Sequence, residues 1–372
     1  MADNKDKKVL NVPALRFPEF TEEWESVLLE DVAEFQKKRI SSDLLNNSNY
    51  ISTENILQNF GGVQNSISIP ANTNVIEYQR GDVLLSNIRP YLKKVWLSDR
   101  HGGCSADVFV LRGNQCERRF LYYVIASDRF INFVMSGAKG VKMPRGDKSQ
   151  MEKFTFFIPT NVEQKKIAMF LSMLDERIRL QNKIIEKLET LIKGIRNNII
   201  SKIKGDCITL QDIADIYQPQ TIASTDLTED GYLVYGANGI IGKYRSFNHE
   251  KEQICITCRG NTCGTVNFTE PKSWITGNAM VINTDNYAKN VNKRYLFHYL
   301  SSINFNSIIS GSGQPQIVRQ PLAKLKLILP VLIIQNRIAE CLDAMFAKMK
   351  NEQSFLQILQ IQKSCLLSQM FI

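Results

Sequence analysis

The sequence predicts an α+β protein in which two similar mixed α/β units are joined by two long helices. Three observations predict this fold class: an internal repeat, short β-type runs bounded by turn residues, and a heptad pattern after each copy of the repeat. Ile158-Pro159 and Leu329-Pro330 begin matching stretches at a shift of 171 residues, and the same shift aligns Asp107 with Asn278. Strands and helices that mix without strict alternation are typical of α+β units.

The repeat divides the chain into five segments. These are a disordered lead (1–12), a first globular unit (13–160), a first long helix (161–205), a second globular unit (206–330) and a second long helix (331–372). An apolar strap is expected from Pro13 to Trp24. The clearest strands are Val83–Ser86 and Val108–Leu111 in the first unit, and Ile254–Thr257 and Ala279–Asn283 in the second. Apolar periodicity predicts helices from Arg118 to about Met135 and from Lys293 to about Ile309.

Each long helix carries a heptad seam, in which apolar residues step by four and three. The seam residues are Ile167, Leu171, Leu174, Ile178, Ile185 and Leu188 in the first helix, and Ile338, Leu342, Met345, Met349, Leu356 and Leu359 in the second. Gln181 and Glu352 fall at the same repeat position and predict one polar layer, and Lys363 also interrupts the second seam. A helix of about 40 residues is roughly 60 Å long and needs a partner. Antiparallel pairing as a coiled coil with an internal pseudo-two-fold axis is therefore expected.

Composition sets limits on the class of partner. The chain has a net charge of +9, with 44% hydrophobic and 22% charged residues. The charge is uneven, because 161–205 carries 10 Lys/Arg against 5 Asp/Glu, whereas 206–330 carries 11 against 10. Nucleic-acid binding must therefore depend on local loops. The N-terminus is too polar for a signal peptide, and no apolar run approaches membrane-spanning length, so a cytoplasmic protein without membrane contact is expected.

The sequence offers no catalytic constellation. Cys255 and Cys258 form a lone C-x-x-C inside a strand-like run, which favours buried core thiols over a metal site. The segment Gly236 to Lys243 approaches a phosphate loop, but its glycines are one residue too far apart and Tyr244 stands where Ser or Thr is needed. There is no Pro-Pro for an amino-methyltransferase motif, and the three histidines lack partners at catalytic spacing. We therefore expect no catalytic residue, no metal and no cofactor bound by this chain.

Loops between the strands are the better candidates for a binding site. Arg and Lys suit guanine O6/N7 and phosphates, and Asn and Gln suit adenine N6/N7. Three loops of this kind recur at matched positions of the two copies. The candidate DNA-binding residues are Asn87, Arg89, Tyr91, Lys93, Lys139, Lys142 and Arg145 in the first unit, and Asn238, Lys243, Tyr244, Arg245, Arg259, Asn261, Thr262, Gln314, Gln316 and Arg319 in the second.

With these motifs the chain resembles, over almost its whole length, the specificity subunit of type I restriction–modification enzymes. The resemblance rests on the opening Pro13-x-Leu-Arg16-Phe-Pro18-x-Phe20-x-x-x-Trp24, on Leu29-x-Asp31-Val-Ala and its repeat, on Tyr235-Gly-Ala-Asn-Gly-Ile-Ile-Gly242, and on the Gln-x-x-Ile that follows both Ile-Pro159 and Leu-Pro330. It implies two target-recognition domains that each read half of a split DNA site, and two helices that set the spacer between the halves.

The resemblance also implies partners. Such subunits bind double-stranded DNA, two modification (methyltransferase) subunits and, in the full enzyme, two restriction (translocase/nuclease) subunits. S-adenosylmethionine, ATP and Mg are expected on those partners, so this chain is expected to be a non-catalytic subunit. Two alternatives stay open at this point: a coiled-coil adaptor that binds no nucleic acid, and a stand-alone nuclease or methyltransferase. Truncating the second helix is expected to abolish assembly before it affects the folding of either unit.

Overall fold

The computed structural model describes residues 11–140, 142–237, 239–311 and 313–371. The chain forms two compact units, one built from the chain up to Gln181 together with the segment from Phe355 onward, the other from Asn182–Ser354. Each long helix therefore contributes one half to each unit. The expected fold class, two similar α+β units with two long antiparallel helices, is confirmed.

The first unit contains two four-stranded sheets and a separate strand pair. The strands are β1 (Glu25–Leu28), β2 (Ala33–Phe35), β3 (Arg39–Ser41), β4 (Tyr50–Ile51), β5 (Asn74–Tyr78), β6 (Val83–Ser86), β7 (Val95–Leu97), β8 (Gly102–Cys104), β9 (Val108–Gly113) and β10 (Thr155–Ile158). One sheet has the order β2-β9-β6-β7, the other β3-β5-β8-β4, and β1 pairs with β10. Every residue of the central strand β6 is buried, which explains its unbroken apolar run.

The helices of the first unit differ from expectation at one place. They are α1 (Leu29–Val32), α2 (Arg118–Ile125), α3 (Asp128–Ser136), α4 (Lys148–Glu152) and the start of α5 (Asn161–Lys202). The prediction of one helix from Arg118 to about Met135 is wrong, because the chain breaks between α2 and α3. The Ser127 hydroxyl accepts a hydrogen bond from the Phe130 amide and so caps a new helix. A serine that caps competes with helix continuation.

The second unit repeats the first in order. Its strands are β11 (Asp206–Thr209), β12 (Asp215–Tyr217), β13 (Tyr232–Gly236), β14 (Gly239–Tyr244), β15 (Ile254–Thr257), β16 (Val266–Phe268), β17 (Trp274–Ile275), β18 (Ala279–Asn283), β19 (Ile309–Ser310), β20 (Gln316–Ile317) and β21 (Lys326–Leu329). The main sheet has the order β12-β18-β15-β16, which matches β2-β9-β6-β7 strand for strand. A three-stranded sheet β14-β13-β17 and the pairs β11-β21 and β19-β20 complete the unit.

The helices of the second unit are α6 (Lys293–Leu300), α7 (Arg319–Ala323) and the start of α8 (Leu332–Met370). The predicted helix from Lys293 to about Ile309 is wrong in its end, because α6 stops at Leu300. The Ser301 and Ser302 hydroxyls donate to the carbonyls of Phe297 and Tyr299, and such local bonds favour the end of a helix. A short 3-10 turn and strand β19 then replace the expected last turns.

Two glutamines anchor α5 and α8 to their units in the same way. The Gln164 side chain accepts from the Glu117 amide at 2.9 Å and donates to the Pro159 carbonyl at 2.8 Å. Gln335 accepts from the Asn292 amide at 2.8 Å and donates to the Pro330 carbonyl at 2.8 Å. Both side chains are buried. Because each satisfies backbone groups at the start of α2 or α6, the glutamine that follows each proline is explained by the fold.

Inside each unit the two long helices run antiparallel. In the first unit Ile167 of α5 lies in the same core as Met370 of α8, and the Arg177 guanidinium lies over the Phe355 ring. Residue numbers therefore fall along α8 in the direction in which they rise along α5. In the second unit Ile200 of α5 packs in the same cluster as Ile338 of α8. All twelve predicted seam residues are buried or half-buried.

The charge of Lys363, which interrupts the second seam, is paired with a carboxylate of the first unit. Its ammonium group forms a 2.5 Å ion pair with Asp175, and the Lys363 side chain is 14% exposed. A buried cation left without a partner would be costly. Glu352, the other interruption, forms a 2.5 Å ion pair with Lys348 one turn earlier on the same helix.

The segment before β1 is an irregular strap, as its apolar residues predict. Trp24 is buried against Phe120, and Arg16 donates two 2.7 Å hydrogen bonds to the buried carboxylate of Glu163. Of the predicted disordered lead, residues 1–10 lie outside the described residues. Asn11 is ordered by contact, because its carbonyl accepts from the Trp24 amide, so the strap begins at residue 11. Among the described helices, none has the length and apolar character needed to cross a membrane.

Candidate nucleic-acid interface

In the first unit, the loop after β6 is held against the segment after α3. The Arg89 amide donates to the Pro144 carbonyl at 2.8 Å, and the Gly146 amide donates to the Asn87 carbonyl at 3.2 Å. The Asn87 amide in turn donates to the Asp107 carbonyl at 2.8 Å. We call residues 87–94 and 139–146 the paired loops of the first unit. The structure thus brings together the two loops that carry the seven first-unit residues proposed from the sequence.

The second unit makes the same three backbone hydrogen bonds at positions shifted by 171 residues. The Gly260 amide donates to the Pro315 carbonyl at 3.0 Å, the Ile317 amide to the Cys258 carbonyl at 3.0 Å, and the Cys258 amide to the Asn278 carbonyl at 2.9 Å. Residues 258–262 and 313–317 are the paired loops of the second unit. Because the bonds recur one for one, the two pairs of loops are copies of one device.

The backbone of these loops is set in unusual conformations. Arg89 and Lys93 have φ angles of 52° and 51°, and Gly260 has a φ of 85°. A non-glycine residue in the left-handed region costs roughly 1–2 kcal/mol, and such residues cluster at functional sites. Arg89 and Gly260 are matched positions. The turn that both occupy is therefore a feature of the repeat, and it persists in the first unit without a glycine.

Several of the first-unit cations have carboxylate partners, which the sequence did not reveal. Arg145 lies 3.0 Å from Asp107 and Lys139 lies 2.9 Å from Asp147. The hydrogen bond from Lys139 lowers the pKa of Asp147. Lys93 pairs with Asp128. Arg89, Tyr91 and Lys142 are exposed, and neither Arg89 nor Lys142 forms an ion pair with any described residue.

The second-unit candidates fall into two groups. Arg259, Asn261, Thr262, Gln314 and Gln316 belong to the paired loops, and Arg259 lies opposite Gln316 in a β-bridge. Thr262 donates its hydroxyl to the Ala237 carbonyl, which brings the β13-β14 turn beside these loops. The predicted residue Asn238 lies outside the described residues. Arg319 begins α7 just after β20, and it is exposed and forms no ion pair with a described residue.

The structure separates Lys243, Tyr244 and Arg245 from that group. They lie at the far end of β14, roughly 16 Å from Gly239 at about 3.3 Å per residue. Lys243 lies 3.6 Å from Asp230, and the Tyr244 ring meets Trp274 edge-on with centroids 5.1 Å apart. The Arg245 guanidinium lies 5.7 Å from the Tyr244 ring centroid. These three residues form an outer edge of the second unit, distinct from its paired loops.

The two cysteines of the C-x-x-C are core residues. Cys255 and Cys258 are buried, and burial raises the pKa of the Cys255 thiol to about 12. The Cys258 sulfur accepts from Gln218 at 3.1 Å. In the part of the chain that the structure describes, no three His, Cys, Asp or Glu residues are grouped as a metal site would need.

A second surface lies on α5. Its exposed apolar residues step by seven and four along the helix, on the face turned away from the seam. They are Val162, Met169, Met173, Leu180, Ile184 and Leu191, with exposures from 45% to 70%. We call them the outer stripe. The matched positions of α8 do not continue such a stripe: Ile333 and Phe355 are apolar there, but Glu340, Ala344, Asn351 and Gln362 interrupt the pattern. Sequence reasoning missed the stripe, although its 7-and-4 spacing is visible in the sequence.

The duplicated α+β unit, with the same paired loops in each copy and two long helices shared between the copies, defines a class of proteins built on an internal repeat. Residues 21–190 and 206–360 match the family of the type I restriction modification DNA specificity domain. These regions cover most of the chain, one in each repeat, so the chain belongs to this family. The resemblance drawn from its motifs is confirmed.

Similar proteins agree with this assignment. The chain is 28% identical over 169 residues to the type I restriction enzyme EcoprrI specificity subunit of Escherichia coli, a match that covers 44% of this chain and 41% of that protein. The chain thus matches less than half the length of that relative. The fold is similar to the crystal structure of the type I restriction-modification system S subunit from M. genitalium, with a TM-score of 0.66, 17% identity, and 97% and 99% of the two chains covered.

A further solved structure, described as showing complex assembly and conformational transition of the type I R-M system, has a TM-score of 0.56 at 19% identity, with 92% of this chain and 96% of that chain covered. At these identities the likeness shows the fold alone.

Proposed function

We propose that this chain is the DNA-recognition subunit of a type I restriction–modification complex. Each unit reads one half of a bipartite site with its paired loops. The observation that supports this is the recurrence of three backbone hydrogen bonds at a shift of 171 residues. Two copies of one loop device suit a target that has two parts, and backbone bonds that fix the loops prepare their side chains for contact with base edges.

The side chains of the paired loops divide by chemistry. Arg145 and Arg259 can donate two hydrogen bonds to guanine, and Gln314 and Gln316 can bond adenine. Arg89 and Lys142 are exposed and suit phosphates, which fix register without carrying sequence information. The loops are taken to lie in the major groove, since only that groove presents a distinct pattern for every base pair.

The chain is proposed to work with other subunits. Because the globular units are almost neutral in sequence, the chain alone should bind DNA weakly, with strong dependence on salt. Two modification subunits are proposed to dock on the helices, where the outer stripe offers apolar surface flanked by the basic excess of 161–205. Restriction subunits would join in the full enzyme. S-adenosylmethionine, ATP and Mg would come with these partners, and an adenine would be flipped from the stack for methylation.

Replacing Arg259 with alanine tests the reading of bases. If Arg259 reads guanine, the variant complex should lose about 1–3 kcal/mol of DNA-binding free energy at one position of one half-site, and it should accept other bases there. The measurement is sequencing of methylated adenines in cells that carry the chain and its partner subunits, with wild type and the gene deletion alongside.

The matched control is Lys289→Ala, an exposed cation of the same unit outside the paired loops. It should leave the methylated motif unchanged. An even loss of methylation over all sites with Arg259→Ala would assign that residue to phosphate contact. A wild-type methylome identical to that of the deletion strain, with all subunits present, would count against DNA recognition and favour an adaptor.

The helix pair is proposed to set the spacer between the half-sites. Insertion of one heptad into both helices, after Gln181 and after Ser354, keeps the seam in phase and adds roughly 10 Å at 1.5 Å per residue. The methylated motif should then keep both half-sites and gain about three unread base pairs, given 3.4 Å per base pair. A heptad in α5 alone should abolish methylation by unpairing the seam. If the double insertion changed the bases read within a half-site, the helices would not be a ruler.

A further inference from the structure

A cavity of about 380 Å³ lies in the first unit between β7, α2 and α5. Its walls include Trp96 and Leu97 of the edge strand, Arg119 and Tyr122 of α2, and Ser172 and Asp175 of α5. We call this cavity the socket. The residues that line the socket include tyrosines and an arginine, so it is not a purely apolar groove. The matched region of the second unit shows which side chains occupy the equivalent space.

In the second unit the matched space is filled by the chain itself. The helix register places Asp343 at the position of Ser172 and Phe346 at that of Asp175, and Arg294 stands at the position of Arg119. The Phe346 ring lies 5.3 Å from the His298 ring and 6.5 Å from the Phe297 ring, centroid to centroid. Arg294 Nε lies 2.9 Å and 3.0 Å from the two carboxylate oxygens of Asp343. An aromatic ring and a carboxylate thus complete the second unit.

The first unit lacks both groups. Ser172 is too short to reach Arg119, and the Asp175 carboxylate turns instead to the Tyr123 hydroxyl, 2.7 Å away, and to Lys363. Arg119 is exposed, and it forms neither a hydrogen bond nor an ion pair with any described residue. Arg179, also in the wall, is already paired with Glu176. The Arg119 guanidinium is therefore left open toward a ligand, beside Tyr122 in the socket wall.

We propose that the socket receives an aromatic side chain with a neighbouring carboxylate from the modification subunit that docks on α5. The ring would lie against Tyr122, as the Phe346 ring lies near Phe297 at the matched position, and the carboxylate would pair with Arg119, as Asp343 pairs with Arg294. This rests on the proposed function. Charge complementarity favours an acidic partner, and the wall residues Ser172 and Arg179 are next to Met173 and Leu180 of the outer stripe. The second unit fills its own space, so only the first unit makes this contact.

The first experiment uses 3-phenylpropionate, which joins an aromatic ring to a carboxylate, and the full chain labelled with ¹⁵N. Titration should shift the backbone N–H signal of Trp96, which lines the socket, assigned by its loss in Trp96→Phe. Arg119→Met should weaken binding about tenfold, since an ionic hydrogen bond is lost, and 3-phenylpropanol should bind wild type with similar weakness. Ser172→Phe should fill the socket and abolish the shift. Lys350→Met, at the position in the second unit that matches Arg179, should change nothing.

The second experiment measures binding of the purified modification subunit to the same variants by calorimetry. Ser172→Phe and Arg119→Met should each raise the Kd by about tenfold or more, while circular dichroism stays that of wild type. Arg119 lies at the exposed rim, so its variant keeps the test valid if Ser172→Phe misfolds. An unchanged Trp96 signal, or probe binding that ignores both variants, would overturn the socket. Probe binding as expected with unchanged subunit binding would overturn the assigned occupant. Failure of the wild-type chain to bind the subunit would instead sink the proposed function, with the probe result standing apart.

Discussion

A chain that ends at Ser354 is expected to lose its first unit as a folded body while the second unit stays folded. The deleted segment supplies Met370, which is 3% exposed, to the first-unit core, and Phe371 lies 5.2 Å from Phe120. Leu366 and Leu367 pack against the same cluster. Removing one large core side chain lowers the free energy of unfolding by about 2–5 kcal/mol. The whole free energy of unfolding of a domain is only about 5–15 kcal/mol. Loss of all four should therefore unfold the first unit.

Exposure can be measured separately in the two units, because the chain up to Gln181 belongs to the first unit and Asn182–Ser354 to the second. Hydrogen exchange and limited proteolysis of the truncated chain should show exposure confined to the first unit. Ile358→Ser and Ile361→Ser are the controls, because these side chains of the deleted segment are 59% and 70% exposed. They should change the free energy of unfolding by less than about 0.5 kcal/mol each. Two protected units in the truncated chain would contradict the expectation.

This expectation differs from the one drawn from the sequence alone, which was that truncation of the second helix would abolish assembly before it affected folding. A heptad seam predicts that a helix has a partner, but it does not say where the helix ends in the fold. The last turns of α8 complete a core that begins more than 300 residues earlier, at Trp24 and Leu29. Local periodicity carries no signal for such a contact. The internal repeat, in contrast, did predict equivalent contacts in the two units. The matched Gln164 and Gln335 donate equivalent hydrogen bonds to the carbonyls of Pro159 and Pro330.

The paired loops could be located from the sequence, although their role as a DNA site stays a prediction, and the charge state of their surroundings could be foreseen less well. Turn residues after β6 and β15 indicated the paired loops, because loops at strand ends collect glycine, proline and amide side chains. The partners of Arg145, Lys139 and Lys93 could not be foreseen, since Asp107 and Asp128 meet them only through tertiary packing. The helix break at Ser127 left a local signal, a serine followed by an aspartate, which the continuous apolar pattern outweighed.

Exchange of one matched position should exchange base preference between the units. Arg145 and Gln316 occupy the same place, each across a β-bridge from the loop after the central strand, opposite Ile88 and Arg259. The neighbouring residue also differs between the units. Asp107 forms an ion pair with Arg145, whereas the equivalent position of the second unit is Asn278. An arginine held by a carboxylate suits guanine, whereas glutamine suits adenine. The first unit is therefore expected to require guanine where the second requires adenine.

The double variant Arg145→Gln with Asp107→Asn makes the first unit like the second at this place. It should change the preferred base in the first half-site from guanine to adenine, with a change in discrimination of about 1–3 kcal/mol, or roughly 5-fold to 150-fold. Gln316→Arg with Asn278→Asp should do the reverse in the second half-site. Selection from a randomised DNA pool by the reconstituted complex measures both. Asp107→Asn alone is the control, because it frees Arg145 without removing its donors, and it should lower discrimination while guanine stays preferred. If each double variant altered affinity evenly at all bases, these side chains would contact only phosphate, and the reading of bases would have to come from Arg259, Gln314 and their neighbours.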